Sequence, residues 1–282
     1  MSCAYALFGY PVQHSWSPFI HGMFARQTGQ DMVYRLHETP PERFRNDVLE
    51  FFSQGGCGIN VTLPHKRTAA DIVNELTPRA QLADAVNTVV RRDERLIGDN
   101  TDGAGLLADL TKNLGLGWTA PRILMLGAGG AARGALGPLL DLQPRLLVIA
   151  NRTSDRAIAL AHEFASLGPV TGCEFGKLEH HRFDLIVNAT SASLRGEVPL
   201  IPIDVVDSMT TCYDMAYGVG DTAFVTWAKR LGAGRAEQGW GMLVEQAAEA
   251  FALWRGVEPD TAPVLRALRQ RAATSARSPA SG

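Results

Sequence analysis

The sequence predicts an α/β fold in two domains, with a doubly wound parallel sheet in the second. Three observations carry that prediction. Short apolar runs alternate with helical patterns along nearly the whole chain, as strands and helices in turn would require. The run Ile123-Leu124-Met125-Leu126 is apolar without interruption, as a parallel strand covered on both faces must be. A length of 282 residues exceeds what one core usually organises and lets each of two domains bury its own.

Taken in order, Ala4–Gly9 reads as a strand, Pro18–Thr28 as a helix, Met32–Leu36 as a strand and Pro41–Ser53 as a helix. Gly58–Thr62 is the next strand, stopped by Pro64, which has no N–H to continue a ladder. Val86–Arg91 and Arg95–Gly98 are spaced for a hairpin. A helical stretch runs from Asp102 to Leu114 and ends at Gly115-Leu116-Gly117. In the second half Ile123–Leu126 leads to a helix ending at Asp141, then the strand Leu146–Ala150 and the helix Ser154–Ser166. Leu185–Asn188 and Thr211–Asp214 continue the strands, and helices at Met242–Trp254 and Pro263–Ala272 close the chain. The small, polar tail Ala273–Gly282 is expected to be disordered.

Composition narrows the function classes. With 27 Lys+Arg against 29 Asp+Glu the net charge is −2, which gives no electrostatic case for nucleic acid or an anionic membrane. No segment approaches the roughly 20 apolar residues of a membrane helix. The first 25 residues lack Asp, Glu, Lys and Arg, but Pro11, Gln13, His14, Ser15, Ser17, Pro18 and His21 interrupt their apolar character, unlike a secretory signal. The four cysteines, Cys3, Cys57, Cys173 and Cys212, are far apart and form no metal-ligand spacing. The expectation is a reduced, cytoplasmic protein without a bound metal.

Gly127-Ala128-Gly129-Gly130-Ala131-Ala132 follows a predicted strand and opens a helix, the setting in which such a glycine loop binds a dinucleotide. Gly127 permits the tight turn, Gly129 lets backbone approach a pyrophosphate, and Ala132 keeps helix and strand close. The helix N-terminus, from Gly130 and Ala131, offers free N–H groups and a positive dipole end. The next strand ends in Asn151-Arg152-Thr153, with Arg156 beyond. An NAD site usually has an acid there for the ribose 2′-hydroxyl. A guanidinium instead suits a 2′-phosphate, so the expected cofactor is NADP.

Polar residues gather at other element ends. Ser15 and Ser17 lie two apart before Pro18, where Ser17 suits a helix cap. Asn60 and Thr62 share one strand face, Lys66 follows Pro64, and Asn87-Thr88 and Gly98-Asp99-Asn100-Thr101-Asp102 add more. Each could be a turn or cap, or together they could line a cleft for a polyhydroxylated ligand.

His14-Ser15-x-Ser17-Pro18, Asn60-Val61-Thr62-x-Pro64-x-Lys66, Ala85-Val86-Asn87-Thr88, Asn100-Thr101-Asp102-Gly103, the glycine loop, Asn151-Arg152-Thr153, Asn188-Ala189-Thr190-Ser191, Tyr213-Asp214-Met215-x-Tyr217 and Gly241-Met242-Leu243-x-x-Gln246 occur in this order. In that order, from Gly9 to Val264, the chain resembles the shikimate dehydrogenase family, NADP-dependent reductases of 3-dehydroshikimate in aromatic amino-acid biosynthesis. The resemblance implies a substrate domain of residues 1–101 completed by 239–272, and a Rossmann NADP domain of 102–238. The active site would lie in the interdomain cleft. Ser15 and Ser17 would hold the substrate carboxylate, with Tyr217 and Asn60 near it. Thr62, Lys66, Asn87, Asp102 and Gln246 would contact the ring hydroxyls and the C3 oxygen. Thr190, Met215 and Gly239 would line the nicotinamide side.

Hydride transfer to a ketone builds negative charge on its oxygen, which calls for a proton donor and local positive charge. Lys66 can supply both, and Asp102 can orient it. The partners expected are a small-molecule substrate and, at most, a second copy in a homodimer. A paralogue acting on quinate or aminoshikimate and a non-catalytic ligand sensor are the rival readings. Four residues depart from the family pattern: Asp84 and Ser193 where glycine is usual, Ala223 where proline is usual, and the large Trp240. Asp84 would add a carboxylate near the substrate loop.

Overall fold

The structure, a computed structural model, describes residues 3–277. The chain divides into two compact units: residues up to Gly105 with Leu243–Ala267, and Leu106–Met242 with the residues from Leu268 onward.

The first unit is built from β1 (Cys3–Gly9), α1 (Ser17–Thr28), β2 (Met32–Glu38), α2 (Phe44–Ser53), β3 (Gly56–Val61), α3 (Lys66–Ala70), β4 (Glu75–Leu76), α4 (Pro78–Ala83), β5 (Thr88–Arg92) and β6 (Arg95–Asp99). Its sheet runs β2-β1-β3-β5-β6-β4. The pairs of β1 with β2 and with β3 are parallel, and β5 and β6 form the expected antiparallel hairpin. Phe8, Phe44, Val48, Ile59, Val86 and Val89 bury one face. The short α3, β4 and α4 went unpredicted: five-residue and two-residue elements carry no readable period.

At the far end of β1 the cysteine expectation is corrected. Ala4 pairs with Gly56 and Tyr5 with Gly58, so Cys57 is the extra residue of a bulge and faces Cys3. The two form a disulfide with Cα atoms 6.0 Å apart. Cysteines 54 positions apart in the chain become neighbours only through the parallel crossover, which no spacing rule reveals.

The second unit begins within α5 (Asp102–Ala108) and continues through a π-helical turn at Asp109–Asn113. It contains β7 (Arg122–Leu126), α6 (Gly130–Asp141), β8 (Leu146–Asn151), α7 (Ser154–Phe164), β9 (Val170–Glu174), β10 (Leu185–Asn188), β11 (Thr211–Asp214), α8 (Ala223–Arg230) and β12 (Arg235–Gln238). The sheet is wholly parallel, in the order β12-β11-β10-β7-β8-β9. That is the Rossmann order, and it reverses direction between β7 and β10, where such sheets take their ligands. β7, β8 and β10 are buried runs and were legible. β9 and β12 are half-exposed and were not.

Two long helices close the chain, α9 (Trp240–Arg255) and α10 (Thr261–Arg277). The tail expected from Ala273 is therefore helical as far as Arg277, while 278–282 lies outside the described residues.

Candidate active site

Lys66 is the first residue of α3, and the turn before it is anchored by His65. The buried His65 ring stacks on Phe44 at 4.2 Å, with Nε2 2.7 Å from the Thr39 carbonyl oxygen. Asp102 opens α5, its N–H donating to Asn100 Oδ1 at 3.1 Å. The Lys66 ammonium donates to Asp102 Oδ2. Both side chains keep some exposure, 27% and 15%, so the pair fixes geometry more than it adds stability.

Asn87 joins this pair to the rest. Its Nδ2 donates to Asp102 Oδ1 at 2.9 Å, to Thr101 Oγ1 at 2.9 Å and to Gln246 Oε1 at 3.1 Å. Its Oδ1 accepts from the Thr88 hydroxyl and the Thr101 N–H, both at 2.9 Å. Those donors fix which way the amide faces. The Thr101 hydroxyl donates to the Gln246 carbonyl oxygen at 3.0 Å. α9 approaches so closely that a Cβ on Gly105 would lie 2.6 Å from Gln246 Cβ. Lys66, Asn87, Asp102 and Gln246 are thus brought into one polar cluster, drawn from four separate parts of the sequence.

Ser15 and Ser17 also meet, with hydroxyls 3.1 Å apart. Ser17 is not the helix cap, however: Trp16 holds that position, without a side-chain cap. α1 begins at Ser17 itself, and Ser15 Oγ accepts the Ser17 N–H at 3.2 Å. Asn60 is engaged within the protein: Oδ1 accepts from the Tyr34 hydroxyl at 2.7 Å, and Nδ2 donates to Thr88 Oγ1 at 3.1 Å. Thr62 follows β3, and its methyl sits 2.4 Å from where a Cβ on Gly9 would be, so only glycine fits there.

Behind Asn60, the Tyr34 ring stacks on His21 at 4.3 Å. His21 is fully buried, and among the described residues neither of its ring nitrogens has a hydrogen-bond partner. Burial, the main influence, lowers its pKa to about 3. Thr88 and Thr101 join the cluster through the Asn87 amide, and Tyr34 and His21, which no sequence motif marks, pack behind it. A tyrosine in a strand beside a polar cluster was the available signal. Asp84 proves unrelated to the cluster: it ends α4 at φ 51°, where glycine is the usual residue, and pairs with Arg67 at 2.7 Å on the surface.

In the second unit, Gly127 has φ +104°, and a Cβ there would lie 3.2 Å from the Thr190 methyl. Gly129 precedes α6 in extended backbone without a side-chain cap, and no acid lies in the helix's first turn. A Cβ on Gly129 or Gly130 would meet nothing within 4 Å. Ala128 is half-buried and Ala131 exposed at this edge. The space beside the first turn of α6 is therefore open, an arrangement that fits a dinucleotide pyrophosphate at a helix N-terminus. At the tip of β8, Asn151 Nδ2 donates to the Thr153 carbonyl oxygen at 2.9 Å, and Arg152, Thr153 and Arg156 are exposed. Strand β8 ends without a carboxylate, so the donor set suits a 2′-phosphate. Met215 and Gly239 meet: a Cβ on Gly239 would lie 2.5 Å from the Met215 carbonyl oxygen. Tyr217 belongs to this unit and packs on Trp240, with ring centroids 4.7 Å apart.

Residues 7–89 match the shikimate dehydrogenase substrate binding domain, 109–198 the shikimate / quinate 5-dehydrogenase family, and 239–269 the shikimate 5′-dehydrogenase C-terminal domain. A shikimate dehydrogenase (NADP(+)) of Methylococcus capsulatus is 52% identical over 96% of this chain and 98% of its own. The chain belongs to the shikimate dehydrogenase family. Among solved structures, an Ael1 enzyme from Pseudomonas putida superposes with a TM-score of 0.90 at 45% identity, covering 95% of this chain and 98% of that one. Shikimate 5-dehydrogenase from Thermus thermophilus, in complex with NADP(H) and shikimate, gives 0.85 at 33% identity, covering 96% and 99%.

Ala223, expected to be proline, is the first residue of α8, after Thr222, whose hydroxyl accepts the Val225 N–H at 3.2 Å. A proline would suit that position equally. Among the described residues no helix is long and apolar enough to cross a membrane.

Proposed function

We propose that the chain catalyses the NADP-dependent interconversion of 3-dehydroshikimate and shikimate, with Lys66 and Asp102 as its proton-transfer pair. The observation that carries this reading is the Lys66–Asp102 contact set inside the Asn87, Thr101 and Gln246 cluster. NADP bound at the glycine loop supplies or accepts the hydride.

The residues of the chain do the rest. In the reductive direction the Lys66 ammonium stabilises the negative charge that builds on the C3 oxygen and delivers a proton to it. Asp102 holds that ammonium in place and accepts a hydrogen bond from a neighbouring ring hydroxyl. Asn87 and Gln246, with orientations already set, supply further partners for hydroxyls, so that little ordering is needed on binding. Ser15 and Ser17 offer two hydroxyl donors to the carboxylate. Arg152 offers a bidentate donor to the 2′-phosphate and selects NADP over NAD. A cytoplasmic location suits an enzyme drawing on a charged dinucleotide that does not cross membranes.

The test is an absorbance assay of purified protein with shikimate or quinate, each with NADP+ or NAD+. Reduction is expected to be fastest with shikimate and NADP+. Reduction with quinate alone would favour the paralogue reading, and none with either substrate would remove the enzymatic reading.

A further inference from the structure

Ser193 begins a short 3-10 turn beyond β10 and has so far been given no role. Its hydroxyl donates to Asp214 Oδ2 at 2.5 Å and accepts from Asn188 Nδ2 at 3.1 Å. Asp214 is fully buried at the end of β11. It also accepts from the Thr222 hydroxyl at 2.6 Å, Asn188 Nδ2 at 3.1 Å and the Ala216 N–H at 3.1 Å. A buried carboxylate is tolerable only with such a set of donors.

The consequence lies one bond further on. With its Nδ2 committed to Ser193 and Asp214, Asn188 must turn Oδ1 the other way. There it accepts from the Thr190 hydroxyl at 2.7 Å and the Thr190 N–H at 3.1 Å. Thr190, held in this way, sets its methyl against Gly127, the first glycine of the loop. β7 and β10 are adjacent parallel strands whose direction of connection reverses at this point. The chain of contacts therefore runs from Ser193 through Asp214 and Asn188 to Thr190 and the glycine turn.

We propose that Ser193 is a positioning residue for the dinucleotide: its hydroxyl locks the Asn188–Asp214 pair that holds Thr190 against Gly127, and so sets cofactor affinity without touching the cofactor. This rests on reading the glycine loop as the dinucleotide site. It predicts an effect confined to cofactor binding, since the side-chain hydrogen bonds of Ser193 run to Asn188 and Asp214 within the second unit.

The experiment is an equilibrium titration of the whole enzyme with NADP+, followed by protein fluorescence, for wild type, S193A, S193T, T190V and the S193A/T190V double variant. Melting temperatures without ligand and steady-state constants are recorded alongside. S193A is expected to raise the Kd and KM for NADP+ about fivefold, the scale of one buried hydrogen bond. The kcat and the KM for shikimate should stay within about twofold, and S193T should restore the Kd. T190V should also weaken binding, and the double variant should bind no more weakly than T190V alone, because both act along one route. An unchanged Kd in S193A despite a lower melting temperature would reduce Ser193 to a structural role and overturn the proposal. Additive effects in the double variant would do the same. A wild-type enzyme that fails to bind NADP+ would overturn the reading of the loop, and the proposal with it.

Discussion

The two sites described above are made of different material. In the first unit, the polar cluster is a matter of side chains: Lys66, Asn87, Asp102 and Gln246 come from distant segments and are linked by hydrogen bonds to one another. At the glycine loop of the second unit the facing groups are backbone, and space around Gly129 and Gly130 is left free. A ring bearing several hydroxyls has to be distinguished atom by atom, which needs placed donors and acceptors. A pyrophosphate needs only N–H groups, a positive helix end and room. The difference teaches that substitutions in the first unit should alter chemistry and substrate choice, whereas those at the loop should alter cofactor affinity alone.

The largest expected effect lies in the first unit. Lys66→Ala should lower kcat by about 10²- to 10⁴-fold, the range for a positioned proton donor, while the KM for shikimate changes little. Steady-state kinetics in both directions would check this. A kcat near that of the wild type would remove Lys66 from proton transfer and blur the contrast between the units.

A smaller effect separates them by pH. Burial lowers His21 in the first unit to about 3, so the unfolded chain takes up that proton from about pH 6.5 downward while the folded chain does not. Acidification through this window should destabilise the first unit, by an amount on the order of 3 kcal/mol at pH 4. Asp214 in the second unit has the opposite sign: burial raises its pKa, so the folded state holds the proton more firmly and acid relieves its desolvation cost. Hydrogen exchange at pH 4 and pH 7 should therefore show protection falling first around His21, Tyr34 and Phe251. Substitution His21→Phe should reduce the difference. Equal loss in both units, unaffected by that change, would contradict this assignment.

The two regions also differed in how far they could be read from the sequence. The Rossmann half was legible because β7, β8 and β10 are unbroken apolar runs and because a glycine loop states its conformation in residue type. Asn87, Asp102 and Lys66 stood out through the ordered motifs, yet their hydrogen bonds could not be read, because each depends on tertiary pairing of β3, β5 and α5. The same reason hid the Cys3–Cys57 disulfide and the helix-start role of Ser15. Ser193 shows the limit from the other side: it was visible as a departure from the family pattern, but its meaning appeared only when β10 and β11 brought Asn188 and Asp214 together. Short or half-exposed elements such as β4, β9 and β12 lacked a periodic signal at all.

The division of labour between side-chain and backbone recognition is tested most directly by measuring shikimate and NADP+ binding separately, by calorimetry, to Ser15→Ala and Gly129→Val. The first removes a hydroxyl proposed to face the carboxylate, and the second adds a side chain where the fold has room but a pyrophosphate would not. Ser15→Ala should weaken shikimate by about tenfold or more, as loss of a hydrogen bond to a charged group does, and leave NADP+ unchanged. Gly129→Val should abolish or severely weaken NADP+ binding, with shikimate affinity and melting temperature as in the wild type. If Gly129→Val bound NADP+ normally, or if either variant weakened both ligands alike, the account of two sites built from different material would be wrong.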